Sequence, residues 1–194
     1  PLPAKVWISS NNDHTWFGVD PVRKWYWEAS SLGPVLSFLQ APWRSDVVRV
    51  FNLQKNWTEQ AGSISASRIP VWPLVPPIEG LSAGAGGIQH ALAFVAAGYG
   101  DGPIQFPSRG TDGYIPGHPL VNGSRLRLTR KAVERLTAQS QSTQDAAVVW
   151  ALEQYGCLCV DKTSEDAGHA LRFPKDPRLK VSLALQLTDF EVLF

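Results

Sequence analysis

The chain has 194 residues, 44% of them hydrophobic and 18% charged, with a formal net charge of +1. That length suits a single domain with a real core, and the interspersed charges form none of the aromatic-interleaved basic runs that bind nucleic acid or anionic membranes. No stretch approaches the ~18 apolar residues of a membrane span, while 16 glycines and 15 prolines favour strands and ordered loops over long helices.

Residues 5–8 read as a short strand. Seven of the eight tryptophans fall within the first 72 residues, and the densest cluster, residues 14–28, reads as a β-hairpin. Side chains alternate between the faces of a strand. With Asp20 paired to Lys24 around Pro21-Val22-Arg23, Phe17, Val19, Trp25 and Trp27 share a core face. His14, Trp16, Tyr26 and Glu28 then share the other, an imidazole, a carboxylate and two aromatics that suit the floor of a site. A one-residue change of turn length would re-mix the two sets.

After a Gly33-Pro34 turn, residues 35–40 and 45–53 read as strands, and 56–67 as a polar loop. Four prolines within 69–77 bar that stretch from a sheet interior, so it is expected to run extended across the surface. The glycines of 83–87 lead into a strand over 88–95. They lack the Gly-Lys-Ser/Thr of a phosphate loop. Residues 98–121 have loop composition and carry Arg109, Asp112, Tyr114 and His118. A strand over 124–129 puts Arg125 and Arg127 on one face. Helices are expected over 130–138 and 143–155, the second with a Thr/Ser cap and a stop at Gly156. Strand-like stretches follow at 157–161, 170–173 and 183–187.

Cys157 and Cys159 face the same way on their strand. They read as two small buried apolar residues, as a strained bridge, or as partners of a segment upstream. Their spacing, with no His pair nearby, does not suit zinc, and no metal or other cofactor is implied. Asn56-Trp57-Thr58 and Asn122-Gly123-Ser124 are glycosylation acceptors, which belong on surface loops of secreted proteins. With no Met even at its start, the chain is expected to be a processed product lacking an upstream segment.

Four stretches carry a resemblance: residues 87–94 (GIQHALAF), 123–128 (GSRLRL), 155–161 (YGCLCVD) and 188–192 (TDFEV). In that order and with those gaps they resemble a family of secreted, mostly bacterial proteins of unassigned function that often occur beside carbohydrate-related modules. Residues 64–70 (ISASRIP) are similar to that family's Ala-Arg-Ala-Ser-Gly-Leu-Pro stretch, and residues 12–15 loosely to its Gly-Thr-Asp-Gly/Ala-His stretch. The resemblance spans nearly the whole chain, corresponding to the C-terminal two-thirds of the family's domain. It implies an extracellular setting and a mostly β domain, and it brings no catalytic mechanism. Cys157 and Cys159 depart from the apolar residues of the family, and the loop 98–119 is this chain's own.

His90 is either a hydrogen-bonded core histidine or a site histidine. Arg125 and Arg127 are either solvated or paired with carboxylates, or they clamp a carboxylate such as a uronate through their planar guanidinium groups. Asp13-His14 is a turn cap with a surface histidine, or an acid–base pair, and Glu28 a strand-end charge or a catalytic carboxyl. The chain has no Gly-x-Ser-x-Gly nucleophile elbow. General acid–base work by His14, His90, Tyr26 or Tyr114 with carboxylates, and an arginine neutralising substrate charge, suits β-elimination on an acidic polysaccharide. Glycoside hydrolysis would need Glu28 to face Asp13 or Asp112 at ~5–10 Å.

The expected fold is a single, mainly β domain, an antiparallel sandwich or partly closed barrel with one or two helices. The expected function is extracellular and carbohydrate-related. A glycan would be bound, and in one variant cleaved, on an aromatic surface including Trp16 and Tyr26, with Asp13, Arg68, Arg109, Asp112, Arg125 and Arg127 serving hydroxyls or a uronate. The alternative is a structural subunit of a cell wall, sheath or surface filament. In either case the strand at 5–8 lacks a neighbour, and a cleaved N-terminal piece or an adjoining subunit is expected to supply it.

Overall fold

The computed structural model describes residues 6–8, 16–20, 22–30, 33–34, 43–44, 47–56, 60, 62–63, 65–163, 168–174 and 176–193. The first strands are β1 (Val6–Ile8), β2 (Trp16–Asp20), β3 (Trp25–Ser30), β4 (Gly33–Pro34), β5 (Trp43–Arg44) and β6 (Val47–Asn52). Strands β1, β2, β3 and β6 form an antiparallel sheet in that order, and β4 pairs with β5. The strand expected over 35–40 lies outside the described residues.

The second half adds β7 (Leu92–Ala97), β8 (Arg125–Leu128), β9 (Cys157–Thr163), β10 (Ala170–Leu171) and β11 (Phe190–Leu193). They form a five-stranded sheet in the order β10-β7-β9-β8-β11. Helices α1 (Ile78–Ala83), α2 (Arg130–Gln139) and α3 (Thr143–Gln154) accompany it. The expectation of a mainly β domain, an antiparallel sandwich or partly closed barrel with one or two helices, is met in part: the chain is β-rich, but helix and strand are mixed and β7 runs parallel to β9. A parallel pair is stable when both of its faces are covered, and both are. Leu92, Phe94, Ala96, Cys157 and Cys159 pack in one core with Leu81, Leu136, Val148 and Leu152 of the helices. Ala93, Leu158 and Val160, of opposite parity, pack with Ile69, Val71 and Leu74.

The Pro-rich stretch is thus not a surface strap. Its prolines keep it out of both ladders, but Ile69, Val71 and Leu74 lie against the larger sheet, and a short 3-10 turn spans Trp72–Leu74. The strand expected from residue 88 begins only at Leu92, because Gly86, at φ 89, and a bend at His90 precede it. Helix α3 forms where its signals lie: the Ser142 hydroxyl accepts from Asp145 N at 3.0 Å, and Gly156, at φ 70, ends it.

Residues 179–187 have a strand's period without a ladder. Leu179, Val181, Leu183, Leu185 and Leu187 pack against the helical core in alternation. Their backbone is held by side chains of α3: Lys180 N donates to Gln144 Oε1 at 2.6 Å and Ser182 N to Asp145 Oδ1 at 2.8 Å. Gln141 N and the Ser182 hydroxyl complete the shell of the Asp145 carboxylate. Burial alone would raise its pKa, but the bonds from Ser182 and Gln141 outweigh it and hold the carboxyl below its ordinary value. A depressed folded pKa adds stability that is present above the unfolded value of about 3.9 and lost as pH falls through the folded one. Urea midpoints between about pH 5 and pH 2 are therefore expected to fall more steeply for the wild type than for Asp145→Asn.

Candidate functional site

The hairpin closes one residue away from the expected register. Asp20 pairs with Trp25, not Lys24, so Val19 pairs with Tyr26 and Phe17 with Glu28 in the ladder. The cause lies in the turn. Asp20 Oδ1 accepts from Val22 N at 3.0 Å and Arg23 N at 2.9 Å, and Lys24 takes a left-handed φ of 58. The loop therefore holds four residues, and the faces re-mix.

Tyr26 and Glu28 consequently belong to the core and not to an open floor; both are fully buried. The Tyr26 hydroxyl donates to Glu28 Oε1 at 2.6 Å, Val71 N donates to the same oxygen at 2.9 Å, and the Ser63 hydroxyl donates to Oε2. Three donors on one carboxyl is the arrangement an ionised carboxylate requires. Tyr26 also stacks on Phe51 and Trp72, and accepts from Trp72 N at 3.3 Å. Burial, and then the neighbouring Glu28 charge, push the phenol well above its ordinary pKa, so it stays a donor. With Glu28 walled in, the carboxylate pair needed for glycoside hydrolysis is not presented to a substrate.

The same slip turns Trp25 outward, where it is 43% exposed, with Trp27 at a ring-centroid distance of 6.4 Å. Trp25 lines a cleft of about 560 Å³ with Val50, Phe51, Asn52, Lys55, Asn56 and Gln60, a size typical of small-ligand sites. The Gln60 amide acts as a surrogate strand residue: its Oε1 accepts from Asn52 N at 2.7 Å and its Nε2 donates to Asn52 O at 2.9 Å. Asn52 Oδ1 accepts from Gln54 N at 2.8 Å. Among the described residues, no carboxylate lines this cleft.

A second polar centre stands at the carboxyl ends of β7 and β9. Tyr99, two residues beyond β7, is fully buried and donates to Asp112 Oδ1. Burial, and then the bond to Asp112, push its phenol pKa up. Asn122, also fully buried, donates through Nδ2 to Tyr99 Oη at 3.0 Å and to Gly110 O at 3.3 Å. Lys162 Nζ, near the end of β9, reaches Asp112 O at 2.8 Å and Asp112 Oδ2 at 3.1 Å, and lies 4.7 Å from the Tyr114 ring centroid. One extra β9 residue, Val160, shifts the register before Asp161 and Lys162. Such bulges re-aim side chains beside sites.

The remaining expected site residues scatter. His14 and Asp13 lie outside the described residues, and of Trp16 only its strand position, opposite Ala29, is described. His90 is half-buried, its Nδ1 2.9 Å from Ala91 O. Arg127 is paired with Glu191 at 2.7 Å, and Arg125 is exposed. Arg68 and Arg109 sit together at residues 60–68: Arg109 Nη1 donates to Gln60 O at 2.9 Å and Arg68 Nη1 to Ser63 O at 3.4 Å. Asn56 is exposed, whereas the buried, doubly bonded Nδ2 of Asn122 leaves no room for a glycan in the folded chain. Cys157 and Cys159 are free and buried; burial pushes the Cys159 thiol up to about 12 and Cys157 well above its ordinary value, so neither is an activated nucleophile.

Trp25, Asn52, Lys55, Tyr99 and Lys162 were not among the expected site residues, and Asn122 was expected only as a glycosylation acceptor. Asp-Pro at 20–21 followed by a polar Lys24 is the one local signal that favoured the longer turn and an outward Trp25. No group of three or more His, Cys, Asp or Glu able to hold a metal forms among the described residues, and no helix there is long and apolar enough to cross a membrane. Comparison with known proteins finds no matching family model, curated protein or solved structure.

Proposed function

We propose that this chain is an extracellular glycan-binding domain whose platform is Trp25, with an acidic polysaccharide as its ligand. The observation that carries this reading is the Trp25 cleft. An exposed indole offers an apolar face to sugar C–H groups, and its rim supplies Lys55 and the Asn52 amide with no carboxylate among the lining residues. Arg109, which donates to Gln60 O, extends the positive border. In this reading residues 65–75, which bond to both sheets through Val71 and Ser67, join them into a partly closed β framework that carries the site. Attachment of a glycan at Asn56 would occupy the cleft mouth, so glycosylation there and ligand binding exclude each other.

Oligogalacturonate and alginate oligosaccharides are expected to bind with an affinity that falls as salt rises. Trp25→Ala should weaken binding at least tenfold while the circular dichroism spectrum is unchanged. A glycan array with no acidic binder removes the proposal.

A structural-subunit role is the second reading, and the exposed face beside Trp25 favours it. Val48 is 47% and Val50 43% exposed on β6, an edge of its sheet among the described residues, with β1 at the other edge. Edge strands pair with further chains unless blocked, and a cleaved upstream piece or adjoining subunit would fit there. Sedimentation separates the readings: polymers without sugar affinity favour the subunit, and a stable monomer opposes it.

A further inference from the structure

The ion pair of Asp112 and Lys162 has features that a purely structural pair does not need. It stands at the carboxyl end of the one parallel pair: Lys162 is the penultimate residue of β9, opposite Ala96 of β7, and Asp112 lies in the loop that follows β7. It is open, with the Asp112 side chain 46% and the Lys162 side chain 30% exposed. Yet it is held from beneath by two fully buried side chains, Tyr99 and Asn122. An exposed pair contributes little stability, so buried support of this kind serves to fix its geometry.

The free valences are complementary. Each Asp112 oxygen accepts one bond, from Tyr99 or Lys162, and each keeps a second lone pair. Lys162 uses its N–H groups toward Asp112 O and Oδ2, leaving a third donor. Beside them Tyr114 keeps half of its surface open. Beneath the loop, Asn122 Oδ1 is a buried acceptor with no partner among the described residues. Leaving such an atom unsatisfied costs ~1–3 kcal/mol, so it calls for a water or hydroxyl donor.

We propose that Asp112, Lys162 and Tyr114 form a second carbohydrate site, which takes a neutral sugar through two adjacent hydroxyls. One hydroxyl donates to Asp112 and its neighbour accepts from Lys162, whose charged atoms stand 3.1 Å apart, while the sugar's C–H face lies on Tyr114. The pair carries no net charge, so a uronate gains nothing here. This site stands independently of the Trp25 reading.

The test is a ¹H–¹⁵N NMR titration of the full chain with methyl glucoside, methyl galactoside, methyl mannoside and methyl glucuronide. Saturable shifts are expected for at least one neutral glycoside at the amides of Tyr99, Asp112, Tyr114 and Lys162, with the glucuronide no better than its neutral counterpart. Asp112→Asn and Lys162→Gln should each weaken binding at least tenfold, and Trp25→Ala should leave it unchanged. Mapping on the wild type decides the matter even if a variant fails to fold. Absent or non-saturable shifts at these amides, stronger glucuronide binding, or loss of binding in Trp25→Ala overturns the site.

Discussion

Glu28→Ala is expected to destabilise the chain by about 4 kcal/mol or more, a large share of the ~5–15 kcal/mol that holds a domain together. The methyl group would leave the Tyr26 hydroxyl, the Ser63 hydroxyl and the Val71 N–H without an acceptor in a site closed to water. Each orphaned buried donor costs ~1–3 kcal/mol. The effect extends beyond one strand, because Glu28 ties β3 to the stretch that packs on the larger sheet. Glu28→Gln keeps one acceptor oxygen and should cost less, and Tyr26→Phe, which removes a donor and keeps the ring stacks, less again. Urea unfolding followed by tryptophan fluorescence gives the order. A Glu28→Ala midpoint equal to that of an exposed substitution such as Arg125→Ala would show that the network contributes no stability.

Gly123→Ala should cost a comparable amount, roughly 4 kcal/mol or more, for a different reason. Gly123 has φ 87, and a Cβ there would stand 1.8 Å from Gln105 O and 2.8 Å from its carbonyl carbon. Both obstacles are backbone, and Gln105 N is itself bonded to Asn122 O at 2.9 Å. Relief would also pull on the bond from Gly123 N to Cys159 O. Gly86→Ala is the control. At φ 89 it meets the same conformational penalty of ~1–2 kcal/mol but has nothing within 4 Å of the added carbon. Equal midpoints for the two variants would contradict the close approach at Gly123.

Three glycines of the sequence motifs have a physical meaning here. Gly87, Gly123 and Gly156 each lie where a Cβ would come within about 2 Å of a carbonyl oxygen, of Gly80, Gln105 and Leu126 respectively. Arg68 takes a left-handed φ of 62, a conformation that favours glycine. These residues serve backbone packing and turns and not a reaction, which explains why motifs readable in the sequence led to few side chains that gather in a site. The polar centre was only half legible: Asp112 stood out in a long loop, whereas Lys162 reaches it through a bulge in β9 and Tyr99 through burial.

What the sequence by itself determined is whatever depends on neighbours a few residues apart. Helix α3, its Ser142 cap and its Gly156 stop follow from hydrogen bonds within one turn, and the paired exposure of Arg125 and Arg127 follows from the strand period. The exclusion of the Pro-rich stretch from a ladder follows from four missing donors. The tertiary structure decided which face of the hairpin is inside, because a single added turn residue inverts every side chain beyond it while leaving the alternation intact. It also decided the parallel pairing of β7 and β9 and the assembly of Asp112 with Lys162, 50 residues apart, since such contacts depend on which surfaces are covered from both sides and not on any local pattern.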